Sequence, residues 1–160
     1  MTDLTLAQRL ECPFPPRAIS WRIGQKTKDG RKAKLLAYID ARDCMERLDK
    51  ACGFENWQCR YNLADNGLLI CEIGIRVNGE WLWRANGAGD TAVEAEKGKA
   101  SDAFKRAAVL WGVGRYLYGL DSPWVELDER GKWGSDPQLP DWATPKGWLA
   151  QIQAEQERKA

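Results

Sequence analysis

The chain has 160 residues, of which 44% are hydrophobic and 29% are charged, and its formal net charge is +1. This is an ordinary globular composition, and no apolar run approaches the roughly 18 residues of a membrane span. The first residues lack a basic stretch followed by an apolar one, so we expect no secretory signal and a cytoplasmic protein. The length suits one domain over residues 1–160.

The sequence contains no histidine and five cysteines. Without histidine the chain lacks the commonest general base, the commonest metal ligand and every Ser-His or Cys-His nucleophile pair. The cysteines lack the close C-x2-C pairing of zinc and redox sites, so we expect reduced thiols, mostly in the core. We therefore expect a protein that is not an enzyme and that holds no metal or cofactor.

Charge is distributed unevenly along the chain. Residues 17–34 contain seven basic residues and one acid, whereas residues 121–141 contain six acids and two basic residues. The net charge alone gives no indication of a nucleic-acid partner, but a basic segment of this kind does. The basic residues of the segment are Arg17, Arg22, Lys26, Lys28, Arg31, Lys32 and Lys34.

A short helix and a β-hairpin are predicted first along the chain. Residues 4–11 favour a helix that Thr2 or Asp3 caps and the following prolines end. The segments AISWRIGQ and KLLAYID are strand candidates, and the turn TKDGR between them gives the hairpin a basic tip. Asp40 then caps an amphipathic helix, which Gly53 ends.

Three strands and a second helix follow. The segments WQCRYNLAD, LLICEIGIRV and EWLWRANG are joined by Asn-Gly turns, which are strong hairpin signals. Residues 91–111 predict a long helix, and after Gly119 only residues 147–159 are again typical of a helix. The order β-β-α-β-β-β-α indicates an α+β fold, in which one mostly antiparallel sheet packs against helices on one face.

The predicted long helix carries a cationic flank. Lys99 and Arg106 lie seven residues apart and so nearly in line, with Lys105 beside them and Ser101 able to donate to a phosphate oxygen. The alternative is an ordinary solvated face, balanced by Glu94, Glu96 and Asp102. The basic hairpin favours the first interpretation, because two cationic elements can grip a phosphate backbone together.

Aromatic residues are plentiful, with nine tryptophans in the chain. Flat side chains on which bases can stack accompany cationic surfaces in proteins that bind single strands. Trp81, Trp83, Trp133 and Trp142 are candidates for subunit contacts, or else are simply core or half-exposed aromatics. The candidates for base stacking are Trp21, Phe54, Tyr61 and Tyr116.

Four segments together resemble a known family. They are PFPPRAISWR, LAYIDAR with RLDKACGFENWQCRY, KASDAFKRAAVLWGVGRYLYGL and DPQLPDWATP. Over roughly residues 12–146 the chain is similar to the Rad52/Rad22 single-strand annealing family, and in particular to its bacterial branch, the DNA damage response protein A (DdrA) group.

The resemblance implies a ring-like homo-oligomer of the annealing fold, with single-stranded DNA in a groove between the basic hairpin and the long helix. It implies ATP-independent binding and annealing of complementary strands in recombination and repair, or protection of strand ends with little annealing. Residues 12–120 would form the DNA-binding and oligomerisation core, and residues 121–160 an acidic C-terminal segment with a terminal helix. A single-strand binding protein or a recombination nuclease is a further expected partner, in a bacterial or phage-infected cell.

Individual family positions carry over to this chain. The DNA-facing positions match Arg42, Lys97, Ser101, Lys105 and Arg106. A further arginine of the eukaryotic members is replaced by Val109, so that this contact is either missing or supplied otherwise, for example by Arg115.

Two other classes of function stay open on the residues alone. Asp90, Glu94 and Glu96 with Lys97 bear a faint likeness to the carboxylate clusters of metal-dependent nucleases, although Ala95 stands where an acid is needed. The acidic segment and its tryptophans could instead serve a protein-interaction module.

Overall fold

The computed structural model of the chain describes residues 3–89 and 98–160, which form two compact units. Unit 1 comprises Met1–Cys12 and Asp40–Arg115, and unit 2 comprises Pro13–Ile39 and Tyr116–Ala160. The described helices are α1 (Leu6–Glu11), α2 (Ala41–Cys52), α3 (Lys99–Leu110) and α4 (Pro145–Lys159). The described strands are β1 (Ser20–Lys26), β2 (Lys32–Tyr38), β3 (Trp57–Leu63), β4 (Leu69–Val77), β5 (Glu80–Ala88) and β6 (Trp124–Glu126).

Unit 1 is built on an antiparallel sheet in which β4 lies between β3 and β5. The predicted turns join these strands. Asn78 and Gly79 both have positive φ, at 52° and 81°, as a two-residue type I′ hairpin turn requires. The hairpins predicted from the two Asn-Gly pairs are therefore confirmed.

The core of unit 1 lies between this sheet and the helices. Ile73 and Ile75 alternate onto one face of β4 and are fully buried, and α3 packs against that strand and β5. Phe104 of α3 is fully buried and meets the ring of Trp57 edge-on, with ring centroids 6.0 Å apart. Leu48 brings α2 into the core. Three of the cysteines are buried as expected, while Cys52 is half-buried and Cys59 is exposed.

Unit 2 contains the second antiparallel sheet, with β2 between β1 and β6. Ala33 and Leu35 of β2 are fully buried on one face. A bulge between Ile23 and Gln25 shifts the register of β1, so that Gln25 lies opposite Lys34. The predicted basic hairpin is thereby confirmed as β1 and β2.

The α+β class and the antiparallel pairing are confirmed, but the strands form two sheets instead of the single sheet expected. The reason is β6, which the sequence analysis did not predict: it takes the second edge of β2 through the pairs Lys32–Glu126 and Lys34–Trp124. Three residues are too few to give a recognisable pattern. No helix among the described residues is long and apolar enough to cross a membrane.

Two helix starts also differ from the predictions. Helix α1 begins at Leu6, because Thr5 and Gln8 form a reciprocal capping box. This cap lies three residues beyond Thr2 and two beyond Asp3, the caps expected. Helix α3 is described from Lys99, and residues 90–97 of the predicted helix lie outside the described part of the chain. The division into residues 12–120 and 121–160 stays a prediction.

Candidate nucleic-acid interface

One face of the unit 2 sheet combines cations with aromatic rings. Because Ala33 and Leu35 are buried, the alternating residues Lys32, Lys34 and Leu36 point to the opposite side of β2. Directly paired residues share a face, which adds side chains from both neighbouring strands. We call this surface the hairpin face; it consists of Arg22, Lys32, Lys34, Leu36, Tyr38 and Trp124.

The cations at the centre of the hairpin face are Arg22 and Lys34. Among the residues that the structure describes, no side-chain hydrogen bond, ion pair or ring contact engages Arg22 or Lys34. Arg22 is exposed and Lys34 half-buried. Their charges are therefore available to an anion from solution.

The turn between β1 and β2 is ordered by its one carboxylate. Asp29 Oδ1 accepts from the hydroxyl of Thr27 at 2.7 Å and from the backbone N–H of Arg31 at 3.0 Å. The N–H of Arg31, followed by the Thr27 hydroxyl, holds the pKa of Asp29 below its ordinary value. The predicted cations Lys26, Lys28 and Arg31 are exposed around this turn.

Strand β6 brings acidic residues of the C-terminal segment to the hairpin. Glu126 lies opposite Lys32, and Asp128 and Glu129 line an open depression that Asp29 and Arg31 complete. Two segments of opposite charge, far apart in the sequence, are thus neighbours in unit 2. The positive charge of the hairpin face is therefore concentrated away from the turn, near Arg22 and Lys34.

A second cationic surface lies on α3 in unit 1. Ala103, Phe104, Ala107 and Ala108 are buried, which leaves Ser101 and Arg106 exposed on the other side of the helix with half-buried Lys105. We call these three residues, Ser101, Lys105 and Arg106, the α3 ridge. Arg106 Nε lies 3.2 Å from Asp102 Oδ2, a pair in which both side chains are about half exposed and which contributes little stability.

The ammonium group of Lys105 lies on the α2 side of α3. Burial raises the pKa of the Cys44 thiol on α2 to about 12, and the charge of Lys105 is the largest influence opposing that rise. Cys44 is 1% exposed, so it is a neutral core residue at physiological pH. Lys105 therefore combines packing against unit 1 with a partly exposed charge.

Two predicted DNA contacts bind the chain's own carbonyl groups. Lys99 Nζ donates to the carbonyl of Gly67 at 2.6 Å, which ties the start of α3 to the turn between β3 and β4. Arg115 donates to the carbonyls of Val109 at 3.0 Å and Leu110 at 2.9 Å, so it caps the end of α3. These bonds give both residues a structural role beside the predicted one.

The remaining predicted cations are distributed as follows. Arg42 is exposed in the first turn of α2, and no ion pair joins it to Glu46 within the described residues. Lys97 lies outside the described part of the chain. The DNA-binding roles of the predicted residues stay predictions.

The four aromatic residues predicted to stack on bases differ in exposure. Phe54 is 78% exposed and Tyr61 is 41% exposed, with the Tyr61 hydroxyl 3.5 Å from the carbonyl of Ala100. Tyr116 is half-buried, and its hydroxyl accepts from the backbone N–H of Phe14 at 2.9 Å. Trp21 lies opposite Ala37 on the buried side of its sheet.

Two aromatic residues of the hairpin face are not among those predicted from the sequence. Trp124 is 50% exposed opposite Lys34, and Tyr38 is 37% exposed at the end of β2. The alternation of Lys34, Leu36 and Tyr38 along one strand could have indicated Tyr38. No local signal indicates Trp124, because β6 reaches the sheet only through long-range pairing.

Comparison with known proteins places the chain in a family. The family described as Rad52/22 family double-strand break repair protein matches residues 3–67 and 68–132. The chain belongs to the Rad52/22 family, which confirms the resemblance seen in its segments.

Two relatives carry the same name. The single-stranded DNA-binding protein DdrA of Deinococcus deserti is 39% identical over 140 residues, which cover 86% of this chain and 69% of the relative. The single-stranded DNA-binding protein DdrA of Deinococcus radiodurans is 34% identical over 140 residues, which cover 86% of this chain and 67% of the relative. The bacterial branch named from the sequence is thus the one to which these relatives belong.

Proposed function

We propose that this protein binds single-stranded DNA and anneals complementary strands in DNA repair and recombination, without ATP and without a metal ion. Its family and the printed names of its two relatives support the substrate. The observation that carries the proposal is the pair of cationic surfaces, the hairpin face in unit 2 and the α3 ridge in unit 1. The groove implied by the resemblance would draw on both surfaces, and it stays a prediction.

The chemistry of the two surfaces suits a flexible polyanion. Exposed guanidinium and ammonium groups bind phosphate oxygens, and the hydroxyl of Ser101 can donate to one. Binding that rests on phosphate contacts is largely independent of sequence and weakens steeply as salt is raised.

The first test measures binding to a fluorescent single strand and to a duplex of the same sequence by anisotropy, over a salt series. We expect tighter binding to the single strand, with log K falling linearly against log salt by about 0.7 per phosphate contacted. Equal affinity for the two forms, or affinity independent of salt, would contradict the proposal.

The second test follows strand pairing by fluorescence transfer between complementary labelled strands, with a chelator and without nucleotide. The protein is expected to accelerate pairing under these conditions. Binding without acceleration, together with protection of labelled 3′ ends from an added exonuclease, would favour the end-protection alternative. Magnesium-dependent shortening of the strand would favour the nuclease alternative, whose residues Asp90, Glu94 and Glu96 lie outside the described part.

The α3 ridge is tested with a double variant, Lys105→Ala with Arg106→Ala. Removing two phosphate-facing charges should weaken single-strand binding and reduce its salt slope, while the size of the assembly stays unchanged. The matched control is Arg158→Ala with Lys159→Ala, the exposed basic pair at the end of α4. An equal effect of both double variants would mean that only net charge matters and would reject the ridge.

We also propose that the protein acts as a homo-oligomeric ring in the cytoplasm of a bacterial or phage-infected cell, where its DNA substrate lies. A single-strand binding protein or a recombination nuclease is the proposed further partner. Particle images with and without single-stranded DNA test the assembly: closed rings are expected, and a monodisperse monomer in both conditions would reject it.

A further inference from the structure

We infer that the hairpin face is a base-stacking platform, on which Trp124 and Tyr38 contact the bases of a single strand while Arg22 and Lys34 hold its phosphates. This inference rests on the proposed function and deepens it, because it names the side chains that distinguish a single strand from any other polyanion. Neither aromatic residue belongs to the set predicted from the sequence.

The rings and cations follow one another along the strands. Trp124 lies directly opposite Lys34, and Tyr38 lies four residues beyond Lys34 on β2, roughly 14 Å from it at about 3.4 Å per residue. Arg22 is paired with Leu36, midway between the two rings. The face therefore alternates rings and charges along the direction of the strands, as a nucleic acid alternates bases and phosphates.

The exposure of Trp124 also favours a bound ligand. Half of Trp124 is accessible to solvent. Burying an indole is strongly favourable, and a three-residue edge strand would hardly prevent the ring from packing against the protein. Among the described residues, Trp124 has no ring contact, cation–π contact or indole hydrogen bond. Trp124 therefore offers an open indole beside Lys34, on which a base can stack while the lysine binds a phosphate.

Charge on the hairpin face selects the occupant. Arg22, Lys32 and Lys34 are its cations, and the acids Glu126, Asp128 and Glu129 lie around Lys32 at the far end, toward the turn. The half of the face that carries Trp124, Arg22 and Tyr38 is thus positive and aromatic at once. That combination fits a single strand, whose phosphates and unstacked bases both find partners, better than an apolar surface of a second subunit.

The test compares an oligothymidylate with an abasic strand of equal length, which keeps the phosphates and lacks the bases. The wild-type protein should prefer the thymidylate. Trp124→Ala should weaken thymidylate binding about fivefold to a hundredfold, the range expected for one stacked base, and leave abasic binding unchanged. Trp124→Phe should restore most of the preference, because it keeps a ring.

Trp142→Ala is the matched control, since Trp142 is another partly exposed tryptophan of unit 2, at 36% exposure. If Trp124→Ala and Trp142→Ala bind thymidylate like the wild type, the platform is rejected while the proposed function stands. If the wild-type protein binds neither strand, both the base-stacking platform and the proposed function are rejected. A change of particle size in Trp124→Ala with the base preference intact would assign the face to a second copy of this chain and overturn the inference.

A second measurement needs no variant and so does not depend on how a substituted chain folds. Strands carrying 5-bromodeoxyuridine are irradiated in complex with the wild-type protein, and the cross-linked peptides are mapped by mass spectrometry. Cross-links at Trp124 or Tyr38 are expected. Cross-links confined to Phe54, Tyr61 or other aromatic residues outside the hairpin face would overturn the inference.

Discussion

The two sheets of this protein use arginine and tryptophan in opposite ways. On the outer face of the unit 1 sheet, the guanidinium of Arg60 lies 3.9 Å from the ring centroid of Trp83 and is also bound by Glu72 at 2.6 Å. Arg76 lies 5.7 Å from the ring of Trp81 and donates to Asn56. On the hairpin face of unit 2, neither Arg22 nor Trp124 has such a partner within the described residues.

The difference concerns how available the same side chains are to a ligand. Where each cation already rests on a ring and donates to a side-chain oxygen, a ligand would have to replace those contacts, so the outer face of unit 1 holds its own sheet together. Where Arg22 and Trp124 have no such contact among the described residues, a ligand gains both interactions at little cost. Tryptophan and arginine content alone therefore gives no indication of which sheet binds DNA.

The largest expected effect on stability belongs to Gly74, over which Trp83 lies. A Cβ at this position would come within 2.9 Å of the indole, so Gly74→Ala must displace a ring that Arg60 covers from above. We expect a loss of about 1–2 kcal/mol, since overpacking outweighs the gain from a less flexible unfolded chain. Denaturant unfolding measures it.

Gly24→Ala is the counterpart in the unit 2 sheet. Its Cβ would meet the side chain of Leu36 at 2.7 Å, and a half-buried leucine can move aside. The expected loss is below about 0.5 kcal/mol. Equal losses of unfolding free energy in the two variants would contradict the view that side chains pack more tightly on the outer face of the unit 1 sheet than on the hairpin face.

The next effect concerns affinity. Arg22→Gln with Lys34→Gln should lower single-strand affinity about tenfold, taking somewhat under 1 kcal/mol for each exposed ion pair with phosphate, and leave unfolding unchanged. Arg130→Gln with Lys132→Gln is the control. These two residues are exposed cations in a nearby turn, and substituting them removes the same amount of charge. A control that loses as much affinity as the test variant would show that position on the hairpin face is irrelevant.

A smaller effect is expected from Arg60→Met, which keeps the length of the side chain and removes its charge. The loss of the contact with Trp83 should cost about 0.5–1 kcal/mol, because the arginine is more than half exposed and solvent weakens its ion pair. Single-strand affinity, followed by anisotropy, should stay the same. Arg22→Met should instead lower affinity and leave stability unchanged. A loss of affinity in Arg60→Met would mean that the unit 1 sheet contacts DNA, which contradicts binding at the hairpin face.

The smallest effect is a difference in thiol reactivity between a core cysteine and a surface cysteine of unit 1. Burial raises the pKa of Cys44 to about 12, so at pH 8 only about one thiol in ten thousand is ionised, and it is also enclosed. Cys59 is exposed on β3 and should react with iodoacetamide well before Cys44, as mass spectrometry of timed samples would report. Reaction at Cys44 first would mean that α2 does not pack as described.

Local patterns predicted the parts of this fold that rest on local physics. The Asn-Gly turns, the cap at Asp40, the stop at Gly53 and the basic hairpin all follow from conformational preferences within a few residues. The family, too, could be recognised from short segments.

The parts that could not be predicted depend on contacts between distant residues. Strand β6 forms because Trp124–Glu126 pairs with the open edge of β2, about ninety residues away in sequence. This pairing brings Trp124 to the hairpin face and Glu126 beside Lys32. The carbonyl partners of Lys99 and Arg115 are likewise set by the folded chain, not by helical spacing. Charge along the sequence therefore predicted the basic hairpin but not the residues that the folded chain places beside it.

The brevity of β6 has a consequence for motion. Besides its pairing with residues 32–34, this strand is fastened by two backbone hydrogen bonds at its ends, from Leu35 to Pro123 at 3.0 Å and from Leu127 to Arg31 at 2.7 Å. Edge segments with so few bonds open at a small fraction of the global unfolding free energy, so the amide protons of residues 124–127 should exchange with solvent far sooner than those of β4. Each opening would carry Trp124 and Glu126 away from β2 together, so the indole and the acid would leave the sheet in a single motion.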